Sequence, residues 1–256
     1  MDFLEIDDVR LECRWVGARG SGGPVLVFLH EGLGSVSLWR DFPDRVAAAA
    51  GLPAFIFSRQ GYGGSSPVPL PRPVDYLERE ARDVLPRVLD GAGIQSAILV
   101  GHSDGATIAL VHAALDRSGR VKGVAALAPH TFVEDMCVAA IAQVRDTYAD
   151  TLRPRLQRHH GANVDCAFRG WNDTWLNPAF KAMEYRPLLA RIQVPVVVIQ
   201  GEDDEYATRA QVDAVADGEA GPVRALMLPS CGHSPQRDQP EMTLAAIQEL
   251  VRPLSG

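Results

Sequence analysis

Short apolar runs alternate with longer segments of mixed polarity along the chain. Six of these runs consist almost entirely of Val, Ile, Leu, Ala, Met and Phe, and they occupy residues 25–29, 54–57, 97–100, 124–127, 196–199 and 225–228. A strand carries apolar residues at every position when both of its faces are buried, as in the centre of a parallel sheet. The pattern therefore predicts six central parallel strands.

Segments long enough for helices separate these strands. They occupy residues 39–50, 76–89, 107–115, 208–216 and 242–251. Strand followed by helix, repeated, predicts an α/β fold with a mostly parallel central sheet of about eight strands and helices on both faces. Residues 10–16 alternate in polarity instead, which fits an antiparallel edge strand paired with residues 3–6.

One interval breaks this rhythm. Residues 130–186 contain no convincing strand, only helical patches such as EDMCVAAIAQVRDTYAD and the aromatic-rich stretch FRGWNDTWLNPAF. We therefore expect a helical insertion at residues 130–186, within a core formed by residues 1–129 and 187–256. The length of 256 residues fits one such core.

Composition narrows the class of protein. The formal net charge is −7, and no block of Lys or Arg is present, which argues against nucleic acid or an anionic membrane as a partner. The acidic first residues lack the basic and apolar regions of a signal peptide, and no apolar run approaches the ~20 residues of a membrane helix. The four cysteines are far apart, as in reduced cytosolic proteins. We expect a soluble, cytoplasmic protein that acts on a small molecule.

The stretch LVGHSDGATIAL changes from apolar to polar and back to an apolar helical pattern. Within it, Gly101-His102-Ser103-Asp104-Gly105 matches the G-x-S-x-G pattern between a predicted strand and a predicted helix. So tight a turn leaves no room for side chains two positions before and after the serine. The helix N-terminus also places unpaired N–H groups beneath Ser103, where they stabilise a developing oxyanion. Ser103 is therefore the predicted nucleophile.

A serine hydroxyl needs a base, and the base needs a third group that orients it. In this architecture an acid and then a histidine follow the serine, each in a loop after a late strand. His233 follows residues 225–228 and is the only histidine after residue 160, so it is the predicted base. Asp203 and Asp204, which follow the strand at 196–199, are the two candidates for the acid.

The loop HEGLGS at residues 30–35 is rich in glycine, so its backbone can approach a reacting carbonyl closely. Dinucleotide binding is the rival interpretation, because Gly32 and Gly34 follow a strand and precede a helix. Ser37 stands where a third glycine belongs, however, and no acidic residue ends the next strand. We therefore expect no cofactor.

A metal site is not expected either. The side chains of His159 and His160 diverge if they lie on one helix, and the nearby Asp165 and Cys166 lack a recognised ligand spacing. A solvated or capping role is the expectation for the two histidines.

Taken together, the segments LHEGLGS, SRQGYGGSS, GHSDG, GEDD and CGHSPQRDQPE resemble those of the α/β-hydrolase fold family, in that family's order and over nearly the whole chain. The resemblance implies an acid three residues after Gly201, which selects Asp204 and leaves Asp203 as a solvated turn or capping residue. It also implies an oxyanion hole formed by the backbone N–H groups of Gly32 and Asp104, with Leu33 as the less favoured substitute for Gly32.

In that family an insertion between the sixth and seventh strands usually forms a cap over the active site. The resemblance therefore implies that residues 130–186 are a helical cap here. Aromatic and apolar residues of this segment could line an apolar substrate pocket under the cap. For each of them, ordinary packing of the cap against the core is the alternative role. The candidate pocket residues are His130, Phe132, Met136, Phe168, Trp171 and Trp175.

The resemblance implies a serine hydrolase that cleaves a carboxylic ester, lactone or thioester of a small, partly apolar molecule through an acyl-enzyme, without metal or cofactor. Hydrolysis of a carbon–carbon bond in a ring-cleavage diketone uses the same residues and is the first alternative. A non-catalytic ligand-binding protein of the same fold is the second. The dehalogenase and epoxide-hydrolase branches of the family carry Asp where this chain has Ser103.

Overall fold

The computed structural model of the chain describes residues 2–18, 23–218 and 220–255. Its eight strands are β1 (Asp2–Ile6), β2 (Val9–Val16), β3 (Val25–Leu29), β4 (Ala54–Phe57), β5 (Ala97–His102), β6 (Val121–Leu127), β7 (Val196–Gly201) and β8 (Val223–Leu228). They form one sheet in the order β1-β2-β4-β3-β5-β6-β7-β8. The six predicted apolar strands are β3 to β8, and the α/β architecture is confirmed.

The strands at the start of the chain are antiparallel and the later strands are parallel, as the sequence predicted. β1 is antiparallel to β2, and β2 is antiparallel to β4, whereas all other neighbours are parallel. Two expectations about the edges are wrong: β2 pairs on both sides, which leaves β1 at one edge, and β8 is the other edge rather than a central strand. β8 is only partly buried although its run is apolar, so an apolar run alone does not place a strand in the centre of the sheet.

Helices cover both faces of the sheet. They are α1 (Phe42–Ala50), α2 (Tyr76–Arg79), α3 (Leu85–Gly91), α4 (Asp104–Leu115), α5 (Asp135–Thr147), α6 (Arg153–His160), α7 (Val164–Trp175), α8 (Arg186–Leu189), α9 (Ala210–Gly218), α10 (Pro235–Asp238) and α11 (Pro240–Val251). The helix predicted at residues 76–89 contains a wider π-helical stretch, Glu80–Val84, between α2 and α3.

Two hydrophobic cores lie on opposite faces of the sheet because successive strand residues point to opposite sides. In β3, Leu26 and Phe28 pack with residues of α1 and α11. Val27 and Leu29 pack with residues of α3, α4 and α9. The parallel strands all end at one edge of the sheet, so the loops that follow them meet there, as is usual for binding sites in α/β folds.

Between β6 and β7 the chain leaves the sheet and forms four helices, α5 to α8. Phe132 and Glu184 form an isolated bridge, and the structure has no strand in this described interval, in line with the sequence pattern. Within the described ranges, no helix combines the length and apolar character needed to cross a bilayer.

Candidate active site

Ser103 forms the sharp turn between β5 and α4. Its backbone has φ 51° and ψ −118°, a conformation that costs a residue with a side chain about 1–3 kcal/mol. The turn is held by hydrogen bonds, because the N–H of Ser103 donates to the carbonyl of Leu127 over 2.8 Å and its carbonyl accepts from Ala106 and Thr107. The serine side chain lines a cavity at the carboxyl edge of the sheet.

The two glycines of the motif are required by close backbone packing. A Cβ atom on Gly101 would lie 2.3 Å from the carbonyl oxygen of Gly105, and one on Gly105 would lie 2.0 Å from the carbonyl oxygen of Leu29. Both distances are far below van der Waals contact. The turn therefore keeps its shape only with glycine at both positions.

The loops after β7 and β8 bring an acid and a base to this serine. His233 Nε2 lies 2.9 Å from Ser103 Oγ, and His233 Nδ1 lies 2.9 Å from Asp204 Oδ1 and 3.0 Å from Asp204 Oδ2. A carboxylate accepts hydrogen bonds, so Nδ1 carries the proton and Nε2 is free to accept from the serine hydroxyl. Three residues distant in sequence thus form one hydrogen-bonded chain.

Of the two candidate acids, Asp204 is the one in contact with His233. Burial alone would raise the pKa of the Asp204 carboxyl, but the hydrogen bond from His233, its charge and the N–H of Tyr206 together hold this pKa below its ordinary value. Asp204 is therefore ionised at neutral pH. Asp203 is exposed, and its N–H donates to the carbonyl of Cys231.

The loop HEGLGS forms the opposite wall of the site, and Gly32 lies in that wall. A Cβ atom on Gly32 would lie 2.2 Å from the ring of Trp171, so only glycine fits beneath the indole. Asp104 is the first residue of α4, and the N–H of a first helical residue has no acceptor within its helix. Both predicted oxyanion donors are thus near Ser103, and their role stays a prediction.

Two buried histidines hold this loop in place. His30 Nδ1 donates to the carbonyl of Glu31 over 2.7 Å, while its Nε2 accepts from the N–H of Arg59 over 3.0 Å. His160 Nε2 donates to the carbonyl of Leu33 over 3.0 Å. The expectation that His160 is solvated or caps a helix is wrong: it is 2 % exposed, because α6 packs against the loop.

A cavity of about 220 Å³ opens beside Ser103. Its apolar lining consists of Leu33, Cys137, Ile141, Trp171 and Trp175, and its polar lining includes Glu31, His130, Glu205, Tyr206 and Arg237. Residues 130–186 supply much of the apolar wall. Volumes of this order accept a small substrate.

Three of the six candidate pocket residues, His130, Trp171 and Trp175, lie in this lining, and the other three do not. Met136 is 37 % exposed on the outer side of α5, whose inner side carries Cys137. Phe168 stacks on Tyr148 with ring centroids 3.5 Å apart. Phe132 lies under the guanidinium of Arg186. These three placements correct the sequence-based expectation, because the sequence does not show which side chains of this segment face the cavity.

The Asp104 carboxylate follows the turn at Ser103 and is 0 % exposed. It accepts from Tyr76 Oη over 2.5 Å and from Trp175 Nε1 over 3.3 Å, and Arg59 Nη2 lies 3.7 Å away. Burial, followed by the charge of Asp104, raises the pKa of the Tyr76 phenol well above its ordinary value, so the phenol remains a donor. This network joins α7 to the serine turn.

Residues 26–246 of this chain match a family model described as "Alpha/beta hydrolase family". The chain belongs to the alpha/beta hydrolase family. Serine hydrolase BPHL of Homo sapiens is 26% identical over 211 residues, covering 78% of this chain, and the matched part spans 65% of the length of that relative. Epoxide hydrolase 3 of Xenopus tropicalis is 22% identical over 288 residues, covering 98% of this chain and 77% of that protein.

A solved structure shows the same alpha/beta hydrolase fold. The enol-lactonase from Burkholderia xenovorans LB400 superposes with a TM-score of 0.73 at 21% identity, covering 98% of this chain and 100% of that one. At this level of identity the superposition shows a shared fold.

Sequence reasoning missed two polar residues of this alpha/beta hydrolase site. His102 Nε2 donates to the carbonyl of His233 over 2.7 Å, and Glu31 Oε2 lies 3.4 Å from His102 Nδ1. Burial opposes ionisation of Glu31, but the hydrogen bond and charge of His102 lower its pKa to about 2. Both residues lie inside the motifs GHSDG and HEGLGS, whose patterns single out only the serine and the glycines.

No group of three or more potential metal ligands occurs in residues 2–18, 23–218 or 220–255. The hydrogen-bonded side chains of the site are a hydroxyl, an imidazole and a carboxylate, each from this chain.

Proposed function

We propose that the chain is a serine hydrolase that cleaves a carboxylic ester, lactone or thioester through an acyl-enzyme intermediate. The observation that carries the proposal is the continuous hydrogen-bonded chain from Ser103 Oγ through His233 to Asp204, with contacts of 2.9 Å on each side of the imidazole. Such a chain activates a hydroxyl that is otherwise a weak nucleophile.

In the proposed reaction, Ser103 Oγ attacks the carbonyl carbon while His233 Nε2 takes the hydroxyl proton. Asp204 stabilises the imidazolium that forms, and the N–H groups of Gly32 and Asp104 stabilise the oxyanion. The tetrahedral intermediate collapses as His233 protonates the leaving alcohol or thiol. Water, deprotonated by the same imidazole, then attacks the acyl-enzyme and releases the acid.

We further propose that residues 130–186 act as a cap and that the substrate is small and partly apolar. Trp171, Trp175 and Ile141 come from this segment and contribute apolar surface to a cavity of about 220 Å³. The negative formal charge of −7 supports a small molecule rather than nucleic acid as the ligand.

Covalent labelling with a fluorophosphonate tests the proposal, since the probe reacts only with an activated serine. We expect one adduct, at Ser103, in the wild-type chain and none in Ser103→Ala. Ser255→Ala is the matched control, because Ser255 is an exposed serine whose hydroxyl donates to the carbonyl of Val251. A wild-type chain that fails to react would favour the non-catalytic alternative.

Turnover separates the two hydrolytic alternatives. We expect p-nitrophenyl esters with short acyl chains to be hydrolysed, and Ser103→Ala to lower kcat by on the order of 10⁶-fold. A ring-cleavage diketone is offered in parallel. Cleavage of the diketone without ester turnover would assign carbon–carbon bond hydrolysis instead.

A further inference from the structure

A second buried imidazole lies beside the proposed catalytic base. His130 follows β6, is 2 % exposed, and its ring centroid is 5.5 Å from that of His233. Its backbone is held on both sides by Thr107 of α4: the His130 N–H donates to Thr107 Oγ1 over 3.0 Å, and Thr107 Oγ1 donates to the His130 carbonyl over 2.9 Å. The ring therefore has a fixed position relative to the nucleophile helix.

The polar edge of this ring is not used by the fold. His130 Nδ1 is buried and has no hydrogen-bond partner among the residues that the structure describes. An unpaired buried polar group costs about 1–3 kcal/mol, so a hydrogen-bond partner supplied by a bound molecule would stabilise it. His130 lines the cavity that contains Ser103, so a polar group of a substrate bound there is placed to hydrogen-bond the ring.

The protonation state of His130 restricts what that group is. Burial, followed by the positive charge that His233 can carry, lowers the pKa of His130 to about 3, so the ring is neutral at physiological pH. A neutral imidazole offers one donor and one acceptor. A hydroxyl, which both donates and accepts, is the neutral group that matches either nitrogen.

The charges around the cavity disfavour an anionic substrate. The carboxylates of Glu31 and Glu205 line it. Arg237 is the only Lys or Arg among the described lining residues, and its Nε donates to Asp238 Oδ1 over 3.0 Å. A substrate carboxylate would meet two like charges, and the positive charges beside them are already paired, because Arg237 contacts Asp238 and the charge of His102 is balanced by Glu31.

We infer that His130 is a specificity-determining residue that hydrogen-bonds an uncharged hydroxyl close to the scissile carbonyl, so that the preferred substrates are hydroxyl-bearing esters or lactones rather than plain or carboxylated ones. The inference rests on the proposed ester hydrolysis and deepens it by naming the substrate class. The hydroxyl belongs either to the acyl chain or to the leaving alcohol.

Two pairs of esters test the inference and separate these sources. Methyl 3-hydroxybutanoate is compared with methyl butanoate for the acyl side, and 2-hydroxyethyl butanoate with propyl butanoate for the leaving group. We expect the wild type to favour the hydroxyl-bearing member of one pair by at least tenfold in kcat/KM, measured by titration of the released acid. The pair that shows the preference identifies the source.

His130→Leu removes both polar nitrogens at similar volume, and we expect it to reduce that kcat/KM ratio to about one. His130→Gln keeps one donor and one acceptor, and we expect it to retain most of the ratio, which a packing role would not predict. Equal kcat/KM within both pairs in the wild type overturns the inference whether or not the variants fold, and so does an unchanged ratio in His130→Leu.

Failure of the proposed function gives a different result from failure of the inference. If ester hydrolysis is absent altogether and Ser103 takes no fluorophosphonate, both are refuted. If the esters are hydrolysed at equal rates and Ser103 is labelled, the serine hydrolase proposal stands and the role of His130 is refuted.

Discussion

Replacing Asp204 with Asn tests the most specific part of the proposed mechanism. Asp204 Oδ1 accepts both the N–H of Tyr206 over 2.8 Å and Nδ1 of His233 over 2.9 Å. An asparagine that keeps its carbonyl oxygen on Tyr206 places its NH₂ group where Oδ2 lies, 3.0 Å from His233 Nδ1. That NH₂ group donates to Nδ1 and thereby favours the tautomer with the ring proton on Nε2, where the proton prevents uptake of the Ser103 proton.

The size of the effect follows from the loss of the correct tautomer. Without an acceptor at Nε2 the base function is absent, and the loss of kcat expected for such a change is about 10⁴-fold, or about 5.4 kcal/mol of transition-state stabilisation. Asp203→Asn is the matched control, since Asp203 is the adjacent residue but is exposed. We expect its kcat to stay within about twofold of wild type, as is usual for surface substitutions.

Steady-state hydrolysis of p-nitrophenyl butyrate measures both variants, with circular dichroism and thermal unfolding as controls for the fold. If Asp203→Asn loses more activity than Asp204→Asn, the acid is Asp203 and our assignment of Asp204 is wrong. If Asp204→Asn keeps kcat within tenfold of wild type, the argument from tautomers is refuted.

Two further predictions concern stability. In Gly105→Ala the new Cβ would lie 2.0 Å from the carbonyl oxygen of Leu29, so we expect the free energy of unfolding to fall by about 3 kcal/mol and kcat to fall as well. Gly93 has φ +69° and open space around it, so we expect Gly93→Ala to lower the free energy of unfolding by about 1–2 kcal/mol and to leave kcat unchanged. The pKa of His130 is about 3, against about 6.5 unfolded, so the unfolded chain binds more protons between these values and stability falls as pH falls. At pH 5 this amounts to about 2 kcal/mol. The loss of stability between pH 7.5 and 5, measured by urea unfolding, should therefore be about 2 kcal/mol smaller in His130→Gln than in the wild type, because burial also lowers the pKa of His30 and of His160 and both contribute to the loss in either protein. Equal stabilities of the two glycine variants, or equal pH dependence with and without His130, would contradict these predictions.

The fold was predictable because a parallel strand that is buried on both faces carries an apolar residue at nearly every position. β3 to β7 are buried almost throughout, and their apolar runs locate them within a few residues. β8 gave the same signal but lies at the edge and is only partly buried. Pairing with a neighbour is a property of the assembled sheet, so the sequence of one strand does not determine it.

The positions of Ser103, Asp204 and His233 were predictable for a related reason. Each follows a recognisable strand, and parallel strands bring their carboxyl ends to one edge of the sheet. The pocket was harder to predict, because which side of α5 and α7 faces the site depends on how these helices dock. Cys137 and Ile141, four residues apart on α5, line the cavity, whereas the exposed Met136 does not.

The residues that hold the loop at residues 30–35 could not be predicted from the sequence. His160 comes from α6 and reaches across 127 positions to the carbonyl of Leu33, while its Nδ1 accepts from the N–H of Gly63 over 3.0 Å. Glu12 on β2 similarly accepts from Ser58 Oγ over 2.6 Å. Each interaction satisfies a polar group that folding would otherwise bury unpaired. These partners come together only in the folded chain. The residues that precede and follow His160 and Glu12 in the sequence therefore do not reveal the role of either side chain. The geometry of the loop that faces Ser103 therefore depends on residues that no motif contains.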